Sequence, residues 1–506
     1  GYKAGEDVTS GVANFFGGHS AGLNATTADH TTAVGYQAIG LGVLTGDNNT
    51  VLGSTAGYDL TSGAGNTYLG KNAGLNATTG SYNTGVGYAA LGEVAVTGSY
   101  NSGLGFAAGY GLTGGAYNIF AGYYAASNLT TADYTIAIGS QAIGLGVTTG
   151  DHNIALGRFA GYDLTSGHNN FFAGFYAGFN VTTGIYNISQ GFQAGYDATT
   201  GSYNIFQGYQ AGYNATTVSN TIAIGRAAIG TGVLTGTNNT AIGQNAGTNL
   251  TSGTYNNFIG YQAGFSVTTG TGNIFSGYQA GEFATTSNYS IAIGYNAIGL
   301  GVLTGTDNTA IGRSAGEDLT SGTNNNFMGY RAGYNVTSGA NNILSGFQAG
   351  LNAITVNNTI AIGTNAIGLG VLTGADNIAI GRAAGTDLTS GDLNIFQGVA
   401  AGTNATTGRL NVAIGYYAIG TGVLTGDSNT VVGYEAGMDL TSGHNNSFFG
   451  MRAGYNATTT TYSVAIGRYA FGAGVLTGTS NIAVGMESGY DLTSGGNNTF
   501  VGAYSG

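Results

Sequence analysis

The sequence predicts an all-β fold, a parallel β-solenoid or β-roll of about 30 coils of 17–18 residues. Three observations predict it. A glycine followed three places later by alanine or serine recurs 30 times between Gly1 and Gly502, with a period of 17 or 18. Short runs of β-forming residues, such as residues 221–224, precede these glycines. The 97 glycines, several in each coil, would cost a helix about 1 kcal/mol each relative to alanine.

We name the recurring residue the marker glycine and number each coil from it as position 0. Position −4 is mostly Asn, −2 mostly Ala or Phe, −1 usually aliphatic, and +3 Ala or, in the last two coils, Ser. Two strands of about five residues and two tight turns would make one coil. Stacked coils then predict an Asn ladder at −4 that passes amide hydrogen bonds along the chain, and a +3 column buried against backbone.

Eight long coils carry one extra residue. In these coils an apolar residue such as Ile298 replaces the glycine that is nearly invariant at +4. We expect a bulged or widened turn that buries Ile298, with Gly299 and Gly301 at unusual backbone angles and no loss of register. Six long coils also replace the Asn at −4, which predicts a locally rewired ladder. The replacements are Thr31, Thr135, Thr221, Ser290, Thr359 and Ser463.

The composition excludes several classes of function. A net charge of −12, from 22 acidic and 10 basic residues, argues against a nucleic-acid partner, which requires clustered Lys and Arg. Hydrophobic residues at 42% and charged residues at 6% favour an ordered core over a disordered chain. No apolar run is long enough for a membrane helix, so we expect no membrane insertion in this segment. Cysteine is absent, which leaves the redox compartment open.

The repeat predicts one domain over residues 1–506, an excerpt or mature part of a longer fibre. Apolar residues occupy both −1 and −2, which point to opposite faces of a strand. One face can pack inside the chain's own coil, and the other then requires a partner. A fibre of several identical chains would supply it, and three chains are favoured. A single wide solenoid with one crowded core is the alternative.

Residues 221–225 (Thr-Ile-Ala-Ile-Gly), 290–294 and 463–467 resemble the head repeats of trimeric autotransporter adhesins. That resemblance implies a left-handed parallel β-roll with three chains to a rod, although the coil of those heads is shorter. Residues 239–253, with Asn-Thr-Ala-Ile-Gly and a Thr-Ser-Gly turn, resemble the repeats of phage tail fibres and related fibrous surface proteins. Both resemblances imply a fibre of the cell surface or of a virion.

Position +1 is rich in tyrosine and is the candidate surface-binding column. A stripe of exposed rings could bind a glycan, and the alternative is ladder stacking or packing between chains, with Arg residues of the same column on the rings. Thr pairs at the turns could similarly bind ice, although Ser replaces them freely. The candidate tyrosines are Tyr209, Tyr261, Tyr278, Tyr295 and Tyr330.

Asn-x-Thr sequences recur at the turns and are formal glycosylation acceptors, although turn chemistry alone would produce them. Those singled out are Asn24, Asn76, Asn180, Asn214, Asn335, Asn404 and Asn456. A column of Asp residues that includes Asp163 and Asp318 could bind Ca²⁺, but Asn249 shares it, so an Asx-type turn is favoured. The five His residues share no metal-ligand spacing. We therefore predict no catalytic, cofactor-binding or metal-binding residues.

Taken together, the patterns predict a non-enzymatic extracellular fibre, a structural shaft and/or adhesin, on a cell surface or as a virion appendage. Its expected partners are copies of itself, with a trimer favoured, and a cell-surface glycan. The alternatives are a glycan- or ice-binding module that uses an exposed Tyr or Thr column, and the receptor-binding shaft of a phage tail fibre.

Overall fold

The computed structural model describes the whole chain, residues 1–506, as a parallel β-solenoid of about 29 turns with no helix. Each turn has one strand of three residues, at positions −3 to −1 directly before a marker glycine. The chain divides into two compact units, Gly1–Thr254 and Tyr255–Gly506. Because helices are absent, none is present that could cross a bilayer. The fold class predicted from the repeat is confirmed.

Fourteen strands belong to the first unit and fifteen to the second. Those of Gly1–Thr254 are β1 (Phe15–Gly17), β2 (Thr32–Val34), β3 (Thr50–Leu52), β4 (Thr67–Leu69), β5 (Thr84–Val86), β6 (Ser102–Leu104), β7 (Ile119–Ala121), β8 (Ile136–Ile138), β9 (Ile154–Leu156), β10 (Phe171–Ala173), β11 (Ile188–Gln190), β12 (Ile205–Gln207), β13 (Ile222–Ile224) and β14 (Thr240–Ile242). Those of Tyr255–Gly506 are β15 (Asn257–Ile259), β16 (Ile274–Ser276), β17 (Ile291–Ile293), β18 (Thr309–Ile311), β19 (Asn326–Met328), β20 (Ile343–Ser345), β21 (Ile360–Ile362), β22 (Ile378–Ile380), β23 (Ile395–Gln397), β24 (Val412–Ile414), β25 (Thr430–Val432), β26 (Ser447–Phe449), β27 (Val464–Ile466), β28 (Ile482–Val484) and β29 (Thr499–Val501).

Within each unit, successive strands pair in parallel and every column stays aligned. Ala310 of β18 pairs with Phe327 of β19, which pairs with Leu344 of β20. The alignment also survives a long coil, because Ala361 of β21 pairs with Ala379 of β22 although the coil between them carries the extra residue. The prediction that the extra residue is absorbed locally is therefore confirmed.

The predicted count of about 30 coils is not confirmed, since the thirty marker glycines delimit 29 complete turns. The prediction of two strands of about five residues in each coil is wrong, because each turn has one strand of three residues. The reason is a run of left-handed backbone at alternate positions after each strand. In the coil of β18, Gly312, Ser314 and Gly316 have φ values of 135°, 55° and 57°. Such residues bend the chain at once, so the opposite side of the coil forms only five isolated bridges.

Two inward columns, at −2 and +4, have complementary volumes. In the β19 region, a Cβ added to Gly316 or Gly333 at +4 would lie 2.7 Å and 2.9 Å from ring atoms of Phe327 at −2. Phe327 thus fills the space that the two glycines leave open. Where +4 is instead a large apolar side chain, the −2 column holds Ala, Gly or Val on either side of it. A large residue in one column requires small residues in the other, because a packed core has no room for both.

The long coil has the predicted bulge, but the strained residue is not the one expected. Ile298 is fully buried, as predicted, and the amides of Leu300 and Gly301 both donate to the Glu317 carbonyl, at 3.0 Å and 2.9 Å. The prediction of unusual angles at Gly299 and Gly301 is wrong, since neither is left-handed, whereas Ile298 has φ 48°. Glycine is required at these positions because a side chain would not fit: a Cβ on Gly301 would lie 2.1 Å from the Leu319 carbonyl oxygen.

The predicted Asn ladder at −4 is present and buried. Asn325 donates Nδ2 to Asn308 Oδ1 at 3.0 Å and to the Gly339 carbonyl at 2.7 Å, and its Oδ1 accepts from the amide and Nδ2 of Asn342. At the Thr and Ser positions the ladder is rewired, as predicted. For example, the Asn308 amide donates to the Ser290 hydroxyl at 3.3 Å. The ladder therefore connects the backbones of successive coils by hydrogen bonds inside the core.

The +3 alanine column is buried as predicted, and Ala263 has no exposed surface. We expect Ala263→Leu to lower the free energy of unfolding by about 1–3 kcal/mol, because the added carbons have no space between stacked backbones. The measurement is thermal and urea unfolding of the full chain. Ala340→Leu is the matched control, since Ala340 is half-buried at +11, a position that holds Ile185 in another coil. Equal stability of the two variants would contradict the packing of this column.

Candidate functional surface

The outward side of the strands is an apolar surface, which we name the strand face. Position −2 is buried in nearly every strand, whereas −3 and −1 are half-buried or exposed. Large apolar side chains therefore stand on the outside. In Tyr255–Gly506 they are Ile259, Ile274, Ile293, Ile311, Met328, Ile343, Ile362, Ile380, Ile395, Phe449, Ile466, Ile482 and Val501, and in Gly1–Thr254 they are Phe15, Leu69, Leu104, Ile119, Ile138, Ile188 and Ile242.

The +1 tyrosines predicted as a binding column lie at the corner that follows each strand, and they stack on one another. Tyr278 has its ring centroid 5.0 Å from those of both Tyr261 and Tyr295, with interplanar angles of 15° and 4°. The guanidinium of Arg313 lies 5.6 Å and 5.8 Å from the ring centroids of Tyr295 and Tyr330. The stacked arrangement of rings and Arg is thus present.

In the first unit, Tyr209 stacks on Phe192 at 5.1 Å, and Arg226 approaches its ring at 6.0 Å. Tyr330 in the second unit stacks on Phe347 at 5.2 Å. Ring faces in this column are therefore covered by neighbouring rings or guanidinium groups. A ligand of the +1 column would meet ring edges and phenol hydroxyls rather than open faces.

Two further aromatic ladders were missed from the sequence. One, at position −5, five residues before a marker glycine, stacks Tyr82, Tyr100, Tyr117, Tyr134 and His152 at centroid distances of 4.9–5.1 Å. The other, at +5, stacks Tyr162, Phe179, Tyr196 and Tyr213 at 5.0 Å. The recurrence of aromatic residues five positions before a marker glycine was the signal that could have revealed the first ladder.

The seven Asn-x-Thr asparagines lie in one half-buried column at position +6. Each donates its Nδ2 to the next coil. Asn404, for example, donates to the Thr421 carbonyl at 3.0 Å, and Asn335 donates to Asn352 Oδ1 at 2.8 Å. The others are Asn24, Asn76, Asn180, Asn214 and Asn456. Their amide groups therefore already connect coils, which is a structural reason for their recurrence.

The Asp column occupies the same +6 position. Partial burial raises the pKa of Asp163, and partial burial with the charge of Glu317 raises that of Asp318, so the surroundings of both carboxylates disfavour the charged form. No group of three or more His, Cys, Asp or Glu side chains in the chain is arranged to hold a metal ion.

The Thr residues at +8 donate to carbonyls of the next coil, as Thr320 does to Thr337 at 2.9 Å.

No known protein-family model matches the chain, and no curated protein is significantly similar to it.

Proposed function

We propose that the chain is the non-enzymatic shaft of an extracellular fibre that assembles from three copies through the strand face. The single observation that carries the proposal is the row of exposed apolar side chains on that face. Ile259, Ile293 and Met328 have 40–44% of their surface exposed in the single chain. Burying such a row removes apolar surface from water at every turn, which favours association.

A copy of the same chain is the partner that fits this face best. The apolar residues repeat at the spacing of paired strands, about 4.8 Å. Only a partner with the same axial repeat can match them over many turns. The face also carries few charges, so nothing on it selects a partner of opposite sign. Cyclic symmetry would let each copy present the same face to a shared axis.

The other parts of the proposal rest on the repeat itself. Uniform columns place the same residue types in every coil, as a shaft requires, whereas an active site requires a unique set of side chains. The extracellular location, on a cell surface or as a virion appendage, is supported by the likeness of residues 239–253 to fibre repeats. An adhesive role toward a cell-surface glycan would use the edges and hydroxyls of the +1 tyrosines, such as Tyr209 and Tyr278.

The experiment that tests the proposal is the native mass of the full chain by light scattering. We expect three times the chain mass of 50.4 kDa. A triple variant with lysine at Ile259, Ile293 and Ile362 should be monomeric, because three charges would otherwise be buried between copies.

The matched control places lysine at Thr269, Thr286 and Ser338, which are exposed at turns of the same unit. This control should keep the mass of the wild type. A monomeric wild-type chain would refute the proposed assembly, and dissociation of both triple variants would refute the strand face as its interface.

A further inference from the structure

One coil in Gly1–Thr254 departs from the pattern of the other long coils. Seven of the eight have glycine at the seventh position after the marker glycine, as at Gly42 and Gly301, preceded by an uncharged residue. The coil that starts at Gly87 instead has Glu93 followed by Val94. The next coil has Gly111 at +6, where the coils after the other long coils carry Asp or Asn. Glu93 is thus an acidic side chain at a position where the other seven long coils have an uncharged residue.

Aromatic side chains surround this departure. Tyr88, Phe106, Tyr110 and Tyr124 line an open cavity of about 230 Å³ together with Glu93, and the remaining lining groups include Leu75, Ala89 and Ala107. Tyr88 and Phe106 stack on each other, with ring centroids 5.0 Å apart and an interplanar angle of 9°. Tyr124 stands at a steep angle to this pair, 5.3 Å from Phe106 at 62°, and lies 6.5 Å from Tyr110 at 73°. The stacked pair, Tyr110 and Tyr124 thus bound the cavity at different angles.

Tyr110 has no aromatic neighbour in its own column, in contrast to Tyr196. The residues beside it in the adjacent coils are Glu93 and Ser127, and the only ring near it is that of Tyr124, at 6.5 Å and 73°. The Glu93 amide donates to the Tyr110 carbonyl at 3.2 Å, which places the two residues side by side in adjacent coils. A hydrogen bond to the Glu93 carboxylate, followed by partial burial and the charge of Glu93, raises the pKa of the Tyr110 phenol to about 12. The phenol therefore stays neutral and the local charge is that of Glu93.

Elsewhere the chain covers its aromatic faces with its own cations. Arg331 lies 5.0 Å from the ring centroid of Tyr334, and Arg452 lies 5.1 Å from that of Tyr455. No Lys or Arg lies over Tyr110 or Tyr124, and Lys71 approaches only Tyr88, at 6.0 Å. Glu93 also takes part in none of the three ion pairs of the chain. The part of the cluster formed by Glu93, Tyr110 and Tyr124 thus has aromatic walls and a negative charge, and no cation of the chain lies over its rings.

We infer that this cluster, Tyr88, Glu93, Phe106, Tyr110 and Tyr124, is a binding site for a quaternary ammonium group. Tyr110 and Tyr124, which lie outside the stacked +1 column, can attract a cation through their quadrupole, and the Glu93 carboxylate balances its charge. A methylated ammonium donates no hydrogen bonds and has an apolar surface. It therefore suits walls of aromatic rings and methyl groups better than a primary ammonium, which would lose hydrogen bonds to water. The inference is independent of the proposed assembly.

The test is a calorimetric titration of the full chain with choline chloride, using sodium chloride as the salt control. We expect one site per chain with a Kd in the millimolar range. The uncharged analogue of choline, in which carbon replaces nitrogen, should bind about tenfold more weakly or not at all, since it lacks the cation. No choline binding, or equal binding of the uncharged analogue, would overturn the inference.

Two variants identify the site. Glu93→Gln and Tyr110→Leu should each weaken choline binding by about tenfold. Their matched controls are Glu317→Gln, next to Tyr334 whose face Arg331 already covers, and Tyr213→Leu, whose ring stacks on Tyr196 at 5.0 Å. The controls should bind choline as the wild type does. Binding that survives Glu93→Gln would place the site elsewhere and overturn the assignment.

The same group occurs in lipid head groups and in trimethylated lysine. Vesicles of phosphatidylcholine, compared with vesicles of phosphatidylglycerol, test a lipid source, and a peptide with one trimethyllysine tests a protein source. Glu93→Gln should weaken whichever interaction is found by about tenfold, as it does for choline. Binding to either probe that is insensitive to Glu93→Gln would count against the site, as would equal binding to both kinds of vesicle.

Discussion

Gly122→Ala is expected to lower the local free energy of unfolding by at least about 3 kcal/mol. The marker glycine Gly122 has φ 139°, a backbone conformation that alanine rarely adopts. A Cβ at this position would also lie 2.5 Å from the carbonyl oxygen of Gly139 in the next coil. Gly139 cannot simply move away, because its amide donates to the Ala121 carbonyl at 2.8 Å. Strain and a backbone clash therefore act together.

The measurement for Gly122→Ala is hydrogen exchange of the amides in β7 and β8, because coils contact only their neighbours and the damage should be local. Gly114→Ala is the control in the preceding coil. Gly114 is exposed and is not left-handed, and an added Cβ would meet only Thr97 Oγ1, at 3.8 Å. This control should be neutral or stabilise by up to about 1 kcal/mol. Comparable exchange rates in the two variants would show that the marker column tolerates a side chain.

Asn325→Ala is expected to cost about 3 kcal/mol or more in the second unit. The substitution removes the side-chain partner of the Asn342 amide and of the Gly339 carbonyl, and one of the two partners of Asn342 Nδ2, all within the buried ladder. Asn308 Oδ1 keeps the backbone amide of residue 325 as its donor. Each buried polar group left without a partner costs about 1–3 kcal/mol. Water can satisfy some of these groups only if the coil opens. Urea unfolding and hydrogen exchange in β19 and β20 measure the effect.

Asn325→Thr provides the graded comparison, because the chain itself places threonine in this ladder. Thr31 accepts from the Asn49 amide at 3.4 Å, a longer bond than the 3.1 Å that Asn325 accepts from Asn342. We therefore expect Thr to retain one bond and to cost clearly less than Ala. If Ala and Thr were equally tolerated, the ladder would contribute little to stability.

Much of the fold follows from periodicity alone. A marker glycine at nearly constant spacing predicts stacked coils, and stacking predicts that Asn325 meets Asn308 and Asn342. Burial of Ala263 and of Ile298 follows from the same logic. These predictions succeeded because in-register stacking places identical residues in contact whatever the shape of the coil.

The candidate surfaces were harder to predict. The +1 tyrosines were recognised, but their stacking was one of two interpretations, and the ladder that contains Tyr117 was missed. Tyr117 has φ 61°, and nothing in its local sequence required a left-handed backbone there. The cluster around Glu93 was also missed, because its residues come from positions +1, +2, +5 and +6 of coils that only the folded corner brings together.

The sequence by itself determined the solenoid, its register and its repeating buried columns, since these depend only on the spacing of residues along the chain. The tertiary structure decided which different columns touch each other. Phe327 at −2 packs against glycines at +4, and Ile298 at +4 lies where the −2 column carries Ala292 and Ala310. Which columns face each other across the coil depends on how the backbone bends at each left-handed corner. That bend sets the distances across the coil, and these distances cannot be read from the spacing of residues along the sequence.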